Sequence, residues 1–342
     1  MKYESALVIG AGAFGTAIAQ VLSNNFKHIF VKVRSQDIYD GLLKDKENKV
    51  YLPGKKLNAN IIPVLSWKEF DEKAKNHQIQ IIISGLPTAA IRPYLQENKV
   101  QLSKYLKAGI PVVNLAKGID IETLELPSDL FFSVFPDYKE NFLFLSGPSF
   151  ANEILDEQVT LVSLAGLSTE HLENVMKMMQ TDYFKALATY DVMGLQLGGA
   201  LKNTLAIASG IIEGLGYNHN TRAAMITRGI VEMLRFGEAF NAKPETFYGL
   251  SGMGDLILTT SGGMSRNKLF GYEIAKGRKP MDIINSQRSV VEGYKTTAAA
   301  YQLAKKFNIR SRMICGLYEV LYEDRDPKDV LVEIMRQPSK FE

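Results

Sequence analysis

The sequence contains very little cysteine, little histidine and little net charge, and each shortage excludes a class of protein. The single cysteine, Cys315, excludes an intramolecular disulfide and a thiolate metal cluster. The four histidines show no H-x-x-x-H spacing, so we expect no metal site. A formal net charge of +3 over 342 residues is too small to indicate nucleic acid or an anionic membrane as a partner.

Long hydrophobic runs are also missing. No apolar stretch approaches the roughly 18 residues of a membrane-spanning helix, and the chain enters a strand-like segment without a signal peptide. We therefore expect a cytoplasmic protein that is not embedded in a membrane. The run Lys44–Lys49 mixes charges of both signs and is predicted to be a solvated loop. The length is sufficient for two domains of ordinary size.

The segment Ala6–Ala19 carries the clearest functional pattern. A short apolar strand leads through a G-x-G-x-x-G turn into a helix of small residues. In a dinucleotide-binding unit, Gly10 allows the tight turn, Gly12 lets the backbone approach a pyrophosphate, and Gly15 lets the helix lie close to the strand. The N–H groups at the helix start would then face the phosphates. This context favours a dinucleotide site over a turn that is merely tight.

The end of the second predicted strand indicates which dinucleotide is preferred. Units that bind NAD usually have an acidic residue at this strand end, about 20 residues after the glycine motif, and its carboxylate binds the ribose 2′-hydroxyl. This chain has Arg34 and Ser35 instead. Because a guanidinium makes paired hydrogen bonds to a phosphate, Arg34 favours NADP, or the use of both NADP and NAD. The alternative is an ordinary solvated arginine at a strand end.

Alternation of strand-like and helix-like segments predicts the fold class. The strand-like runs after the first are His28–Val33, Ile79–Leu86, Ile110–Ala116, Phe142–Leu145 and Val159–Leu164. Such alternation predicts an α/β fold with a Rossmann-type doubly wound sheet. Beyond Tyr190 only long helical patterns remain. We therefore predict a dinucleotide-binding domain over residues 1–190 and an all-helical substrate and catalytic domain over residues 191–342.

A lysine in the helical half has chemical promise. Lys202 lies among small and apolar residues in the segment Gly198–Gly210. A lysine partly withdrawn from water can exchange a proton near neutral pH. The alternative is a solvated polar stripe on an amphipathic helix.

A glycine-rich turn and the helix start after it form a second candidate site. The turn holds Asp255, and the helix opens with Ser265, Arg266 and Asn267. Hydroxyl, guanidinium and amide donors at a helix start are suited to a phosphate. The alternative is simple capping, with Ser265 as the N-cap and Arg266 exposed.

An ordered series of motifs resembles NAD(P)-dependent sn-glycerol-3-phosphate dehydrogenase of the soluble bacterial type, over essentially the whole chain. The motifs are GAGAFGTAIA from Gly10, YLPG from Tyr51, GLPT from Gly85, AKGI from Ala116, SGPSFANE from Ser146, GGALKN from Gly198, NTRAAMITRG from Asn220, GLSGMGDLILT from Gly249, SRN from Ser265 and VVEG from Val290. Each motif is weak by itself, whereas the ordered series is specific.

The resemblance implies the reaction and the residues that perform it. The reaction is reversible hydride transfer between NAD(P)H and dihydroxyacetone phosphate, which gives sn-glycerol 3-phosphate for phospholipid synthesis. The implied catalytic residues are Lys202 as proton donor and acceptor, Lys117 as a second lysine, and Asp255. The implied substrate-binding residues are Lys117, Gly147, Ser149, Lys202, Asn203, Asp255, Thr259, Ser265, Arg266 and Asn267. The cofactor-binding residues are Gly10, Gly12, Ala13, Phe14, Gly15, Arg34, Ser35, Pro87, Lys117, Ala151, Arg266, Val290 and Glu292.

Relatives of this type also suggest a homodimer whose small-molecule partner is the substrate. Two other functions stay open. The chain could be another hydroxy-acid or polyol-phosphate dehydrogenase, or an NADP-binding sensor without activity. The sensor should lack the proton donor or the phosphate-binding guanidinium, whereas Lys202 and Arg266 are both present.

Overall fold

The chain divides into two compact units in the computed structural model, which describes residues 2–263, 265–286 and 291–336. The first unit consists of Met1–Ala116 and Pro127–Val192, and the second of Lys117–Leu126 and Met193–Glu342. The short segment belongs to the second unit because Ile119 and Leu126 are buried in its apolar core.

An eight-stranded sheet forms the centre of the first unit, with the strands in the order β3-β2-β1-β4-β5-β6-β7-β8. The strands are β1 Tyr3–Ile9, β2 Phe26–Lys32, β3 Ile61–Val64, β4 Ile79–Ser84, β5 Val112–Asn114, β6 Phe142–Ser146, β7 Thr160–Gly166 and β8 Phe184–Thr189. Neighbouring strands are parallel except for the antiparallel pair β6 and β7. The chain crosses over between β3 and β4, which lie on opposite sides of β1. This order confirms the predicted Rossmann-type sheet.

The apolar runs of the sequence form the central strands because helices cover the sheet. Leu7, Ile82 and Ile83 are fully buried, as expected for parallel strands with both faces covered. Strands β3 and β8 are missing from the sequence-based prediction. The first is short and contains Pro63, and the second alternates buried and exposed residues at its start.

The helices of the first unit follow the strands along the chain. They are α1 Ala13–Ser23, α2 Gln36–Asp40, α3 Trp67–Lys73, α4 Thr88–Glu97, α5 Lys99–Lys107, α6 Pro127–Val134, α7 Ala151–Leu155 and α8 Thr169–Met179, with a π-helical turn at Gly41–Asp45 and a 3-10 helix at Pro136–Asn141. Serine caps begin two of them. Ser66 accepts a hydrogen bond from the Glu69 N–H, and Ser168 accepts one from the His171 N–H.

The described part of the second unit contains helices and no named strand, as the patterns beyond Tyr190 predict. Its helices are α9 Val192–Gly214, α10 His219–Ala239, α11 Pro244–Tyr248, α12 Asp255–Ser261, α13 Arg266–Ala275, α14 Pro280–Asn285, α15 Glu292–Lys306, α16 Arg312–Tyr322 and α17 Pro327–Arg336, with a π-helical turn at Leu250–Gly254. Among the described helices, none has both the length and the apolar character needed to cross a membrane.

Helices α9 and α13 approach each other backbone to backbone. A Cβ atom on Gly210 would lie 1.8 Å from the carbonyl oxygen of Lys268. No side chain could be accommodated there without separating the two helices. The contact holds α9, which carries Lys202, against α13, which begins with Arg266.

Candidate active site

Two lysines share one buried carboxylate in the second unit, and we call Lys117, Lys202 and Asp255 the two-lysine centre. Lys117 Nζ lies 2.7 Å from Asp255 Oδ2, and Lys202 Nζ lies 2.9 Å from Asp255 Oδ1. The side chains are 13%, 11% and 2% exposed, respectively. Three ionisable groups therefore lie together where little water reaches them. Such clusters are typical of functional sites and not of ordinary surface ion pairs.

Three segments that are far apart in sequence build this centre. Lys117 begins the segment Lys117–Leu126, Lys202 lies within α9, and Asp255 is the first residue of α12. One turn further along α12, Thr259 accepts a hydrogen bond from Lys202 Nζ at 2.9 Å and donates to the Asp255 carbonyl oxygen at 2.6 Å. An ammonium has three donors. Within the described residues, these contacts of Lys202 leave one donor for a ligand.

The electrostatic balance keeps the carboxylate ionised. Burial by itself would raise the pKa of Asp255, but the positive charges of Lys117 and Lys202 lower that pKa below its usual value. Burial lowers the pKa of Lys117, and the neighbouring Lys202 ammonium adds to the decrease, although Asp255 opposes it. Two lysine side chains around a single carboxylate can donate hydrogen bonds to an anion or a developing oxyanion.

Side-chain amides connect this centre to α13 and α15. Asn203, next to Lys202, donates to the carbonyl oxygen of Lys117 at 3.2 Å and accepts from Asn267 at 2.9 Å. Asn267 in turn accepts from the N–H of Gly293 at 3.0 Å. These amides fix the start of α13 relative to both lysines.

Glu292, the first residue of α15, lies beside this chain of amides. Its carboxylate is 3.5 Å from the Asn203 amide nitrogen. Burial raises the pKa of Glu292, and the positive charges of Arg266, Lys202 and Lys117 oppose the increase. The predicted cofactor residue Val290 falls outside the described residues.

The start of α13 has the simple capping arrangement that the sequence analysis gave as the alternative to a phosphate site. The Ser265 hydroxyl accepts a hydrogen bond from the Lys268 N–H at 3.3 Å, and Arg266 is exposed. Asn267, in contrast, is buried and already bonded within the unit. The two predicted phosphate ligands therefore have different environments. Arg266 is accessible to an anion, whereas the side chain of Asn267 is already used in hydrogen bonds that hold the site together.

The glycine turn of the first unit leaves open space at the start of α1. Gly10 has a φ of +98°, and a Cβ on Gly15 would lie 2.3 Å from the Gly10 carbonyl oxygen. Both glycines are therefore required by the turn itself. Gly12 has an ordinary φ of −68°, and a Cβ there would contact nothing within 4 Å. The space beside Gly12 and the helix start fits the pyrophosphate of a dinucleotide.

Asn48 supports this turn, although the sequence analysis placed it in a solvated loop. The side chain is fully buried and donates hydrogen bonds to the Ala11 carbonyl oxygen at 2.9 Å and to the Thr16 hydroxyl at 2.8 Å. The prediction was wrong for Glu47 and Asn48, which are both buried, because exposed Lys44 and Lys49 on either side hide two inward-facing residues. No local pattern marks them.

The remaining predicted residues of the first unit lie just after strands. Gly10, Arg34 and Pro87 follow β1, β2 and β4, whose last residues are aligned in the sheet. Arg34 and Pro87 are exposed, Ser35 precedes α2 without capping it, and Ala13 and Phe14 begin α1.

After β6, Gly147 has a φ of +141° and its carbonyl oxygen accepts a hydrogen bond from Ser149 at 2.8 Å. Ala151 then begins α7. Ligands of doubly wound sheets bind at these strand ends.

Comparison with known proteins identifies the family. The family model for the N-terminus of NAD-dependent glycerol-3-phosphate dehydrogenase matches residues 5–172, and the model for its C-terminus matches residues 191–332. Glycerol-3-phosphate dehydrogenase [NAD(P)+] of Syntrophotalea carbinolica is 38% identical over 336 residues, which cover 98% of each chain. The enzyme of the same name from Carboxydothermus hydrogenoformans is 38% identical over 98% of this chain and 97% of its own.

A solved structure gives the same result for the whole chain. The crystal structure of glycerol-3-phosphate dehydrogenase from Coxiella burnetii superposes with a TM-score of 0.89 at 27% identity, and covers 98% of this chain and 100% of its own. The motifs, the sheet order and the helical second unit agree with these comparisons. The chain belongs to the NAD-dependent glycerol-3-phosphate dehydrogenase family and is an NAD(P)-dependent oxidoreductase.

Proposed function

We propose that this chain catalyses the reversible reduction of dihydroxyacetone phosphate to sn-glycerol 3-phosphate, with Lys202 as the proton donor and acceptor. The observation that carries the proposal is the two-lysine centre, in which Lys202 is held by Asp255 and Thr259. A bound nicotinamide cofactor would supply the hydride to the ketone carbon during reduction. The protein must then stabilise and protonate the oxygen, and an ammonium group does both.

Asp255 acts in this proposal by orienting the lysines. Each of its carboxylate oxygens already accepts a hydrogen bond from one ammonium. These contacts favour the orienting role over the binding of a substrate hydroxyl, the other role that the sequence allows. Lys117 adds positive charge beside Lys202 and helps to attract the anionic substrate.

Arg266 is the proposed ligand of the substrate phosphate. It is exposed at the first turn of α13, where backbone N–H groups and the helix dipole also favour an anion. Asn203, Asn267 and Thr259 maintain the geometry around the lysines through the hydrogen bonds described above. Ser265, Gly147 and Ser149 are proposed as further substrate-binding positions from the resemblance.

An absorbance assay tests this function directly. NADPH oxidation is followed with dihydroxyacetone phosphate, with unphosphorylated dihydroxyacetone, and with keto acids and other sugar phosphates. We expect rapid oxidation only with dihydroxyacetone phosphate, because the other compounds lack either the dianion or the three-carbon ketone. A higher kcat/KM for any other compound would contradict the proposal. NADH is measured in parallel.

Arg34→Ala is expected to weaken the binding of NADPH far more than the binding of NADH. A charge-assisted hydrogen bond contributes about 1.5–3 kcal/mol, so its loss should raise the KM for NADPH by about 10- to 150-fold. NADH has no 2′-phosphate and serves as the internal control, with an expected change of less than about threefold. Equal losses for both cofactors would show that Arg34 does not bind the 2′-phosphate.

The cellular setting is part of the same proposal. We propose that the enzyme acts in the cytoplasm as a homodimer and that its product supplies phospholipid synthesis. The family membership and the resemblance to the soluble bacterial type support these statements. Analytical ultracentrifugation of the purified protein would test the dimer.

A further inference from the structure

Two of the four histidines lie together with a carboxylate at one end of the first unit's sheet. Glu4 is in β1, His28 is in β2, and His77 is in the turn that leads into β4. One possible ligand atom from each residue lies within 4.8 Å of the other two, and all three residues are half-buried. None of these residues belongs to the proposed active site.

The spacing of these groups is close to that of a metal site. Glu4 Oε1 lies 3.4 Å from His77 Nδ1. In a tetrahedral site with metal–ligand bonds of about 2.0–2.2 Å, two ligand atoms lie about 3.3–3.6 Å apart. The rings of His28 and His77 have centroids 4.2 Å apart and meet edge to face at 60°. If the two rings moved slightly apart, one nitrogen atom of each imidazole would be able to bind the same ion.

The surroundings hold the three groups in place and leave ligand atoms available. Lys27 pairs with Glu4 Oε2 at 2.8 Å, which leaves Oε1 directed towards His77. Phe30 contacts both imidazole rings.

We propose that Glu4, His28 and His77 form a site for one divalent transition-metal ion of the Zn²⁺ type, with water as the fourth ligand. Two imidazoles and one carboxylate are a ligand set that zinc accepts. The ion would tie β1, β2 and the turn before β4 together, at the end of β1 opposite to Gly10. This proposal departs from the sequence-based expectation of no metal, because residues 4, 28 and 77 become neighbours only through the order of the strands.

Calorimetric titration of the chelator-treated full chain with ZnCl₂ tests the site. We expect one ion per chain and an increase in Tm at saturating Zn²⁺, since binding to the folded state alone stabilises it. Glu4→Gln and His77→Gln should each lower the affinity for Zn²⁺ by more than about 10-fold. Loss of a residue that only hydrogen-bonds to a metal ligand already costs about that much. His171→Gln, a half-buried histidine elsewhere in the same unit, is the matched control and should bind Zn²⁺ as the unmodified chain does.

Lys27→Met provides a test in the opposite direction. Lys27 is exposed, with 57% of its side chain accessible, so its replacement should not disturb folding. Because its ammonium repels a cation bound at Glu4, the variant should bind Zn²⁺ more tightly. If metal-free Glu4→Gln or His77→Gln has a Tm well below that of the metal-free unmodified chain, a folding defect would explain its weaker Zn²⁺ binding. Lys27→Met then provides the deciding test. Unchanged affinity in Lys27→Met, unchanged affinity in both ligand variants, or no saturable binding would overturn the proposal and leave a hydrogen-bonded cluster without an ion.

Discussion

Lys202→Met is expected to lower kcat for dihydroxyacetone phosphate by about 10²- to 10⁴-fold, the contribution typical of a general acid. Methionine preserves much of the side-chain length but can neither donate a proton nor stabilise a developing oxyanion. The fold should survive, because Asp255 remains paired with Lys117 at 2.7 Å. Cofactor affinity should change little, since Lys202 is not among the predicted cofactor-binding residues. Steady-state kinetics and NADPH fluorescence titration measure the two effects separately.

Lys279→Met is the matched control for this loss. Lys279 is exposed and lies just before α14, where its side chain makes no capping hydrogen bond. Its replacement should leave kcat and KM within about twofold of the original values, as expected for a surface position with little effect on stability. Near-normal turnover in Lys202→Met would remove Lys202 from the mechanism.

Asp255→Asn is expected to lower both stability and turnover. Removing one partner from a buried ion pair typically costs about 3–5 kcal/mol of unfolding free energy, because the remaining charge is left uncompensated. Here two ammonium groups would face a neutral amide, and their hydrogen-bond geometry would change. Lys202 would lose the acceptor that orients it, so kcat should also fall. Urea unfolding gives the stability change, and kinetics at saturating substrate give kcat.

A double variant distinguishes loss of a charge pair from a simple packing defect. Adding Lys117→Met to Asp255→Asn removes one of the two uncompensated charges. If charge imbalance causes the instability, the double variant should be more stable than Asp255→Asn alone. A double variant that is less stable by the sum of both single effects would contradict the proposed electrostatic balance.

Much of the fold could be predicted because its signals are local. The apolar runs that became β1, β4 and β6 are continuous, as required of strands covered on both faces. The long helices α9 and α10 carry enough residues for a helical pattern to emerge. Strand β3 has four residues, one of them proline, and such a short segment is determined by its partner strand rather than by its own sequence.

The candidate site could be predicted only in part, because its contacts are not local. The resemblance singles out Lys117, Lys202 and Asp255, but it does not say that one carboxylate bridges both lysines. Lys117 and Asp255 are 138 positions apart, and their contact depends on packing within the second unit. Asn48 and His77 show the same difficulty, since neither belongs to a spacing motif and each acquires its neighbours only through the fold.

The most direct test of the account is a crystal structure with dihydroxyacetone phosphate and the oxidised cofactor, which together cannot react. We predict that the ketone oxygen lies within about 2.6–3.2 Å of Lys202 Nζ, the hydrogen-bond distance required of a general acid. The phosphate should contact the guanidinium of Arg266. A ketone oxygen bound away from Lys202, or a phosphate held without Arg266, would contradict the central claim.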